Sequence, residues 1–366
     1  MPFIIGRGRE ELGPKPVGEL GTYRALDGSR GASLYLDLNS PHAMLIVGKR
    51  GYGKSYTLGV VAEELARTDA IAPVVLDPMG AFEGFGQETA TDIPADFWTR
   101  PTVTPDSLDP RSWCALIGFS PTDAAGALIW QAAQRASTLD GMREQIRETD
   151  ADRADRRAAI NHLGMAERWG IFDAAQGLDA QRLAGPEVSV LDLSGLADEP
   201  MNAVARAVAE SLYQARVNEA IKRVPWLLVD EAHTFFQGVA QSALETILTR
   251  GRAPGVSTVL ATQRPGAVSD VGVSQSDILL AHRLTAQSDV DALKLAQPTY
   301  MNESIEEQMP TQTGEAIIID DATETVHAAQ IRERKTTHDG ESATAEEVTP
   351  GEEGCLTPRG RCPGED

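Results

Sequence analysis

Lysine is scarce in this chain. Of its 366 residues, 33 are Lys or Arg, and only six of these are Lys (15, 49, 54, 222, 294 and 335). Against them stand 54 Asp and Glu, giving a formal charge of −21 and a sequence pI near 4.7. Such a balance argues against a protein whose whole surface coats a polyanion, because non-specific nucleic-acid affinity rests on phosphate neutralisation. Cysteine is nearly absent too: Cys114, Cys355 and Cys362 cannot build a disulfide framework, so a reducing, cytoplasmic setting is expected. No stretch approaches 18 consecutive apolar residues, and residues 1–31 are broken by charge, Gly and Pro. Neither a membrane span nor a signal peptide is expected. Aromatics make up only 5%, yet 42% of the chain is apolar, enough to bury a sizeable core in one large domain or two small ones.

What is present is a repeated alternation. Short apolar runs at 43–47, 73–76, 188–193, 226–229, 257–261, 278–281 and 316–319 are separated by turns and helical periodicity. This pattern predicts an α/β fold with a mainly parallel sheet covered on both faces. Residues 1–40 hold Gly and Pro with two β-like runs, 17–25 and 32–38, and read as an N-terminal β stub. Residues 41–335 form the main domain. Within it, residues 120–185 lack a strand-like run and are rich in Ala, Arg, Glu and Gln, which predicts a helical insertion. Residues 336–366 carry eight acidic residues against two Arg and almost no large apolar residue, as a disordered acidic tail would. Cys355 and Cys362 within it lack a second ligand pair at zinc spacing.

Three motifs carry chemistry. Gly48-Lys49-Arg50-Gly51-Tyr52-Gly53-Lys54-Ser55 is a complete G-x-x-x-x-G-K-S between the strand 43–47 and a helix expected over 56–67. Amides of such a loop opening a helix cradle phosphates; Lys54 would reach the β- and γ-phosphates, Ser55 would serve Mg²⁺, and Tyr56 adjoins the same site. The second motif, Trp226-Leu227-Leu228-Val229-Asp230-Glu231, delivers two carboxylates to the C-terminal edge of a buried strand. There Asp230 suits the Mg²⁺ shell and Glu231 the general base that hydrolysis requires. In the third, the strand 257–261 brings Gln263 to that edge, 32 residues after Glu231, where it could sense the γ-phosphate. The cofactors implied are ATP and Mg²⁺.

In this order the three motifs resemble the HerA/FtsK superfamily of hexameric DNA-pumping ATPases, and its HerA branch in particular. Further blocks add to the likeness: Ser40-Pro41-His42-Ala43, Asp77-Pro78-Met79-Gly80-Ala81-Phe82, Asp230-Glu231-Ala232-His233, Arg250-Gly251-Arg252-Ala253-Pro254-Gly255-Val256 and the run 274–283 with Ser288-Asp289. The likeness covers roughly residues 17–319. It implies a RecA-like core in a homo-hexamer, ATP between subunits, double-stranded DNA as the partner, and a nuclease or other DNA-processing protein as a further one. It also implies that a neighbour supplies an arginine to the γ-phosphate. Arg252, eleven residues before Gln263, sits at the family's offset for that role, with Arg250 as the alternative and Arg283 as a further phosphate-side candidate.

The chain departs from the family twice. Met79-Gly80-Ala81-Phe82 stands where HerA members often carry His-Gly-Glu-Tyr, leaving Asp77 as the remaining acid that could order Mg²⁺ or water. About forty N-terminal residues are too few for the family's β-barrel. The helical insertion offers Arg135, Arg143, Arg147, Arg153, Arg156, Arg157 and Arg168, but interleaved Asp and Glu make this a solvated face. A pore needs few phosphate contacts, so the acidity does not exclude DNA, and with so little Lys it suits concentrated salt, as in a salt-adapted archaeon or its mobile elements. Alternatives to a DNA translocase are a conjugation or packaging motor and a nucleotide-gated assembly or defence ATPase that does not translocate.

Overall fold

A computed structural model describes residues 3–8, 14–25, 29–85, 87, 93–294 and 308–338. Among them, twelve strands join in one sheet: β1 (Phe3–Ile5), β2 (Val17–Arg24), β3 (Arg30–Asp37), β4 (Ala43–Val47), β5 (Ile71–Asp77), β6 (Ala95–Trp98), β7 (Val188–Asp192), β8 (Val224–Val229), β9 (Ser257–Thr262), β10 (Ile278–Ala281), β11 (Glu315–Asp320) and β12 (Thr325–Ile331). The spatial order is β1-β3-β2-β12-β11-β10-β4-β9-β8-β5-β7-β6. From β10 to β6 every pair is parallel; from β10 to β3 every pair is antiparallel.

The continuous apolar runs follow from burial on both faces. Along β4, Leu45 and Val47 point into one core while Met44 and Ile46 point into another. The same alternation holds in β8, where Leu227 and Val229 oppose Trp226 and Leu228. The first core is capped by helices Pro110–Leu116, Ala124–Arg135, Leu139–Glu148 and Arg153–Arg168 through Trp113, Ile129, Met142 and Leu163, and by Asp198–Val217. The second is capped by the helix Lys54–Leu65 through Leu58, Val61 and Leu65.

All seven strands expected from the apolar runs are present, with ends shifted by at most two residues. The expected helix 56–67 begins two residues earlier, at Lys54. Residues 1–40 do not stand apart from the main sheet: β2 pairs with β12, so the N-terminal hairpin extends the sheet. Thr336, the first residue assigned to the acidic tail, is buried at 4% exposure and bonded to Glu63, because residues 332–338 run back across the helix Lys54–Leu65. Residues 339–366, with Cys355 and Cys362, lie outside the described residues. Among the described residues no helix is long and apolar enough to cross a membrane.

Candidate active site

Strand register brings the three motifs to one edge. Val47 pairs with Thr262, Leu260 with Val229, and Val229 with Leu76. Gly48, Gln263, Asp230 and Asp77 each follow these residues at the C-terminal ends of neighbouring parallel strands, with the Gln263 strand between the phosphate loop and the carboxylates. The loop turns on left-handed residues that only Gly adopts cheaply: φ is 82° at Gly51 and 106° at Gly53. Lys49, Arg50 and Gly51 are exposed, Tyr52 and Gly53 half-buried.

Ser55 Oγ donates to Asp230 Oδ2 at 2.7 Å. Asp230 is 1% exposed, and burial pushes its carboxyl up to about 6, opposed by the Ser55 hydroxyl and reinforced by the Glu231 charge. Lys54, also buried, brings Nζ to 4.0 Å from Glu231 Oε1. Glu231 itself adopts a left-handed backbone, φ 41° and ψ 47°, an uncommon conformation for a residue with a Cβ. Its Oε2 is 3.3 Å from His233 Nδ1 without a well-formed hydrogen bond, and it has no donor among the described residues. Burial and the Arg264 and Lys54 charges lower the pKa of His233, which contacts Thr262 Oγ1 at 3.3 Å.

The hydroxyl of Ser55 and the carboxylate of Asp230 are hard oxygen donors of the kind Mg²⁺ takes. Among the described residues no group of three or more His, Cys, Asp or Glu is arranged to hold a metal alone. This pair therefore fits a cation that draws its other ligands from phosphate and water.

Other expected residues engage partners of their own. Asp77 is fully buried, and both its oxygens are taken by turn amides: Met79 N at 3.2 Å, Ala81 N at 3.0 Å and Phe82 N at 2.9 Å. Burial raises its carboxyl to about 6 despite these bonds. It builds the turn after β5. Tyr56 accepts from the Arg334 amide at 2.6 Å and faces the His338 ring, so its hydroxyl serves the segment 332–338. Arg283 stays beside the loop: its carbonyl accepts from Lys49 N at 2.8 Å and its guanidinium lies 5.7 Å from the Tyr52 ring centre.

Arg250 and Arg252 are not brought to this edge. They close the helix Gln241–Arg250 and its following turn, which lead into the start of β9; Arg252 contacts Asp277, just before β10. That is the N-terminal edge of the parallel strands, about 13 Å away along the four residue steps of β4.

One residue at the site is not legible as an individual in the sequence. His282 is fully buried under the loop, with Nε2 2.9 Å from Thr57 Oγ1 and Nδ1 2.7 Å from the Glu315 carbonyl. Burial pushes its pKa down to about 4, so it stays neutral. Its position at a strand end beside the loop strand was the available signal, but only pairing of β10 with β4 makes it informative.

Residues 18–212 match the family model described as "Helicase HerA, central domain". No curated protein sequence gives a match. Among solved structures, VirB4 of Thermoanaerobacter pseudethanolicus is similar at 17% identity and TM-score 0.61, covering 91% of this chain and 98% of that one. The bacterial conjugative coupling protein TrwB in its unbound form follows at 15% and 0.56, covering 87% and 89%. Plasmid coupling protein TrwB in complex with ADP and Mg²⁺ gives 15% and 0.56, covering 90% and 98%. Identities of this size speak for the fold alone, that of the RecA-like P-loop ATPases.

Proposed function

The chain belongs to the HerA helicase central-domain family, and from that premise we propose that it hydrolyses ATP in a homo-hexamer to move along double-stranded DNA. The observation that carries this reading is the single edge on which Ser55 bonds Asp230 and Lys54 approaches Glu231. Amides of Gly48 to Lys54 and the Lys54 ammonium would bind the phosphates of ATP. Ser55 and Asp230 would hold Mg²⁺, which when bound neutralises charge on the phosphate oxygens. Glu231 Oε2, without a donor among the described residues, is the acceptor for a proton from the attacking water. Gln263 would orient that water or sense the γ-phosphate, and Arg283 would steady the loop through Lys49.

Arg252 acts in trans in this reading, with Arg250 as the alternative. Its separation from its own phosphate loop supports the role: a side chain on the opposite edge serves a neighbour's nucleotide or none. Location in the cytoplasm and a DNA-processing partner such as a nuclease belong to the same reading. Conjugation is an alternative cellular task for such a motor, since the conjugative coupling protein TrwB is among the similar structures.

Duplex-stimulated turnover tests the motor. ATP hydrolysis by the assembled chain should rise several-fold with duplex DNA across a salt series, with mass measured in parallel. A nucleotide-gated assembly protein would be indifferent to DNA, and that result would replace the motor by the gate. For the trans arginine, Arg252→Ala should lower turnover by about 10³-fold or more. Mixing it with Lys54→Ala subunits should restore part of the activity, and no restoration would remove Arg252 from the site.

A further inference from the structure

The edge opposite the phosphate loop carries a buried charge cluster that ATP turnover leaves unexplained. Asp277, just before β10, accepts from the Ala43 amide on Oδ1 at 2.8 Å. Its Oδ2 accepts from two cations at once, His42 Nδ1 at 2.9 Å and Arg252 Nη2 at 3.0 Å. The other side of the imidazole faces a second carboxylate, with Nε2 3.4 Å from Asp37 Oδ2. Asp37 in turn accepts from Arg7 Nε at 2.8 Å.

Burial within the cluster is uneven. Asp37, His42 and Arg7 are buried, whereas the Arg252 side chain is 74% exposed. It lines a cavity of about 690 Å³ together with Ser40, His42, Gln275 and Asp321. Gly6 lets the chain pass close to the imidazole, since a Cβ there would come within 2.6 Å of His42 Cε1. Two carboxylates around one buried imidazole favour the imidazolium. Counting Arg7, His42 and Arg252 against Asp37 and Asp277 leaves one positive charge, and Arg252 is the member able to present it outward. A neutral imidazole would cancel that excess and leave Asp277 drawing on Arg252 alone.

We propose that Asp277, backed by His42, is a positioning residue for Arg252, aiming its guanidinium across the subunit boundary at a neighbour's nucleotide. The proposal rests on the trans role of Arg252 stated above. One exposed contact at 3.0 Å directs the side chain without holding it against a triphosphate, since exposed ion pairs are weak. Asp277 therefore narrows the range of Arg252 conformers before the phosphate arrives.

The test is a double-mutant cycle in the full-length assembly with duplex DNA. Asp277→Asn keeps an acceptor for the Ala43 amide and removes the charge; it should lower kcat about three- to five-fold with KM for ATP unchanged. Combined with Arg252→Ala it should add nothing to the loss from Arg252→Ala alone. Should Asp277→Asn fail to assemble, His42→Gln removes the imidazolium that holds Asp277 Oδ2 in place and should give the same non-additive fall. Additive losses, or normal kcat in both variants, would overturn the positioning role while leaving the trans arginine intact. Unchanged turnover in Arg252→Ala would instead overturn the trans reading itself, and this proposal with it.

Discussion

Glu63 is the residue whose replacement should cost the fold most for the fewest atoms. It lies on the helix that follows the phosphate loop, with no exposure at all. Its Oε1 accepts from Lys335 N at 2.8 Å, Thr336 N at 2.8 Å and Thr336 Oγ1 at 2.9 Å, and its Oε2 accepts from Arg332 Nη1 at 2.8 Å. Glu63→Ala would strand two amides and a hydroxyl and take one of two carboxylates from the Arg332 guanidinium, which keeps Glu64 Oε1 at 2.7 Å. Each neutral donor left without an acceptor costs about 1–3 kcal/mol, but relaxation and water entry prevent simple addition. Breaking a buried ion pair from one side costs about 3–5 kcal/mol, and we expect the total to fall there. Glu63→Gln retains a carbonyl for the two amides and turns an amide group toward Arg332, so about 1.5–3 kcal/mol is expected. Equilibrium urea denaturation of the two variants beside the wild type measures both losses. A cost below about 1 kcal/mol for Glu63→Ala would refute the argument that residues 332–338 are clamped through this carboxylate.

The site and its surroundings yield two more expectations. Glu231→Gln should lower turnover by about 10²–10⁴-fold while ATP binding survives, measured by single-turnover hydrolysis and nucleotide titration; turnover near wild type would exclude Glu231 as the base. The second concerns His42. Burial lowers its pKa, but the hydrogen bonds to Asp277 and Asp37 outweigh this and raise it from 6.5 to about 9. Its contribution is then complete below about pH 6.5 and lost as pH rises through 9, about 3 kcal/mol across that window. Wild type should thus lose stability relative to His42→Gln between pH 6.5 and 9.5 in parallel denaturation series, and equal slopes would refute the charged imidazole.

Legibility in the sequence followed burial. β4, β5, β8, β9 and β10 are mostly apolar because both faces are covered, and their apolar runs predicted them directly. β6 and β12 escaped notice. β6 reads Ala-Asp-Phe-Trp at a sheet edge, and β12 alternates buried His327, Ala329 and Ile331 with half-buried Val326 and Gln330 and exposed Ala328. Missing β12 also made the N-terminal hairpin look separate, since β12 is the strand that joins it. At the site, Lys54, Ser55, Asp230 and Glu231 were legible because motif spacing reflects local backbone geometry. The network of His42 with Asp37 and Asp277 was not: its contacts span 5 and 235 residues, and no local pattern encodes the longer one. Arg143 shows the same limit. The interleaved Asp and Glu predict a solvated face, yet Arg143 is 9% exposed and paired with Glu167 through both terminal nitrogens, whereas Arg135, Arg147, Arg153, Arg157 and Arg168 are exposed.

The placement of β12 between β2 and β11 has a consequence for how this chain is made. Synthesis delivers β2 long before β12, and β2 waits about three hundred residues for that partner strand. Until residue 331 leaves the ribosome, β2 and β11 each present a row of unpaired backbone groups. Such edges template pairing between chains, so the vulnerable interval is long and comes early in the life of every copy. A truncation just before Thr325 would make that interval permanent. It should yield a chain that aggregates from its hairpin edge even though every residue of the phosphate loop is still in place.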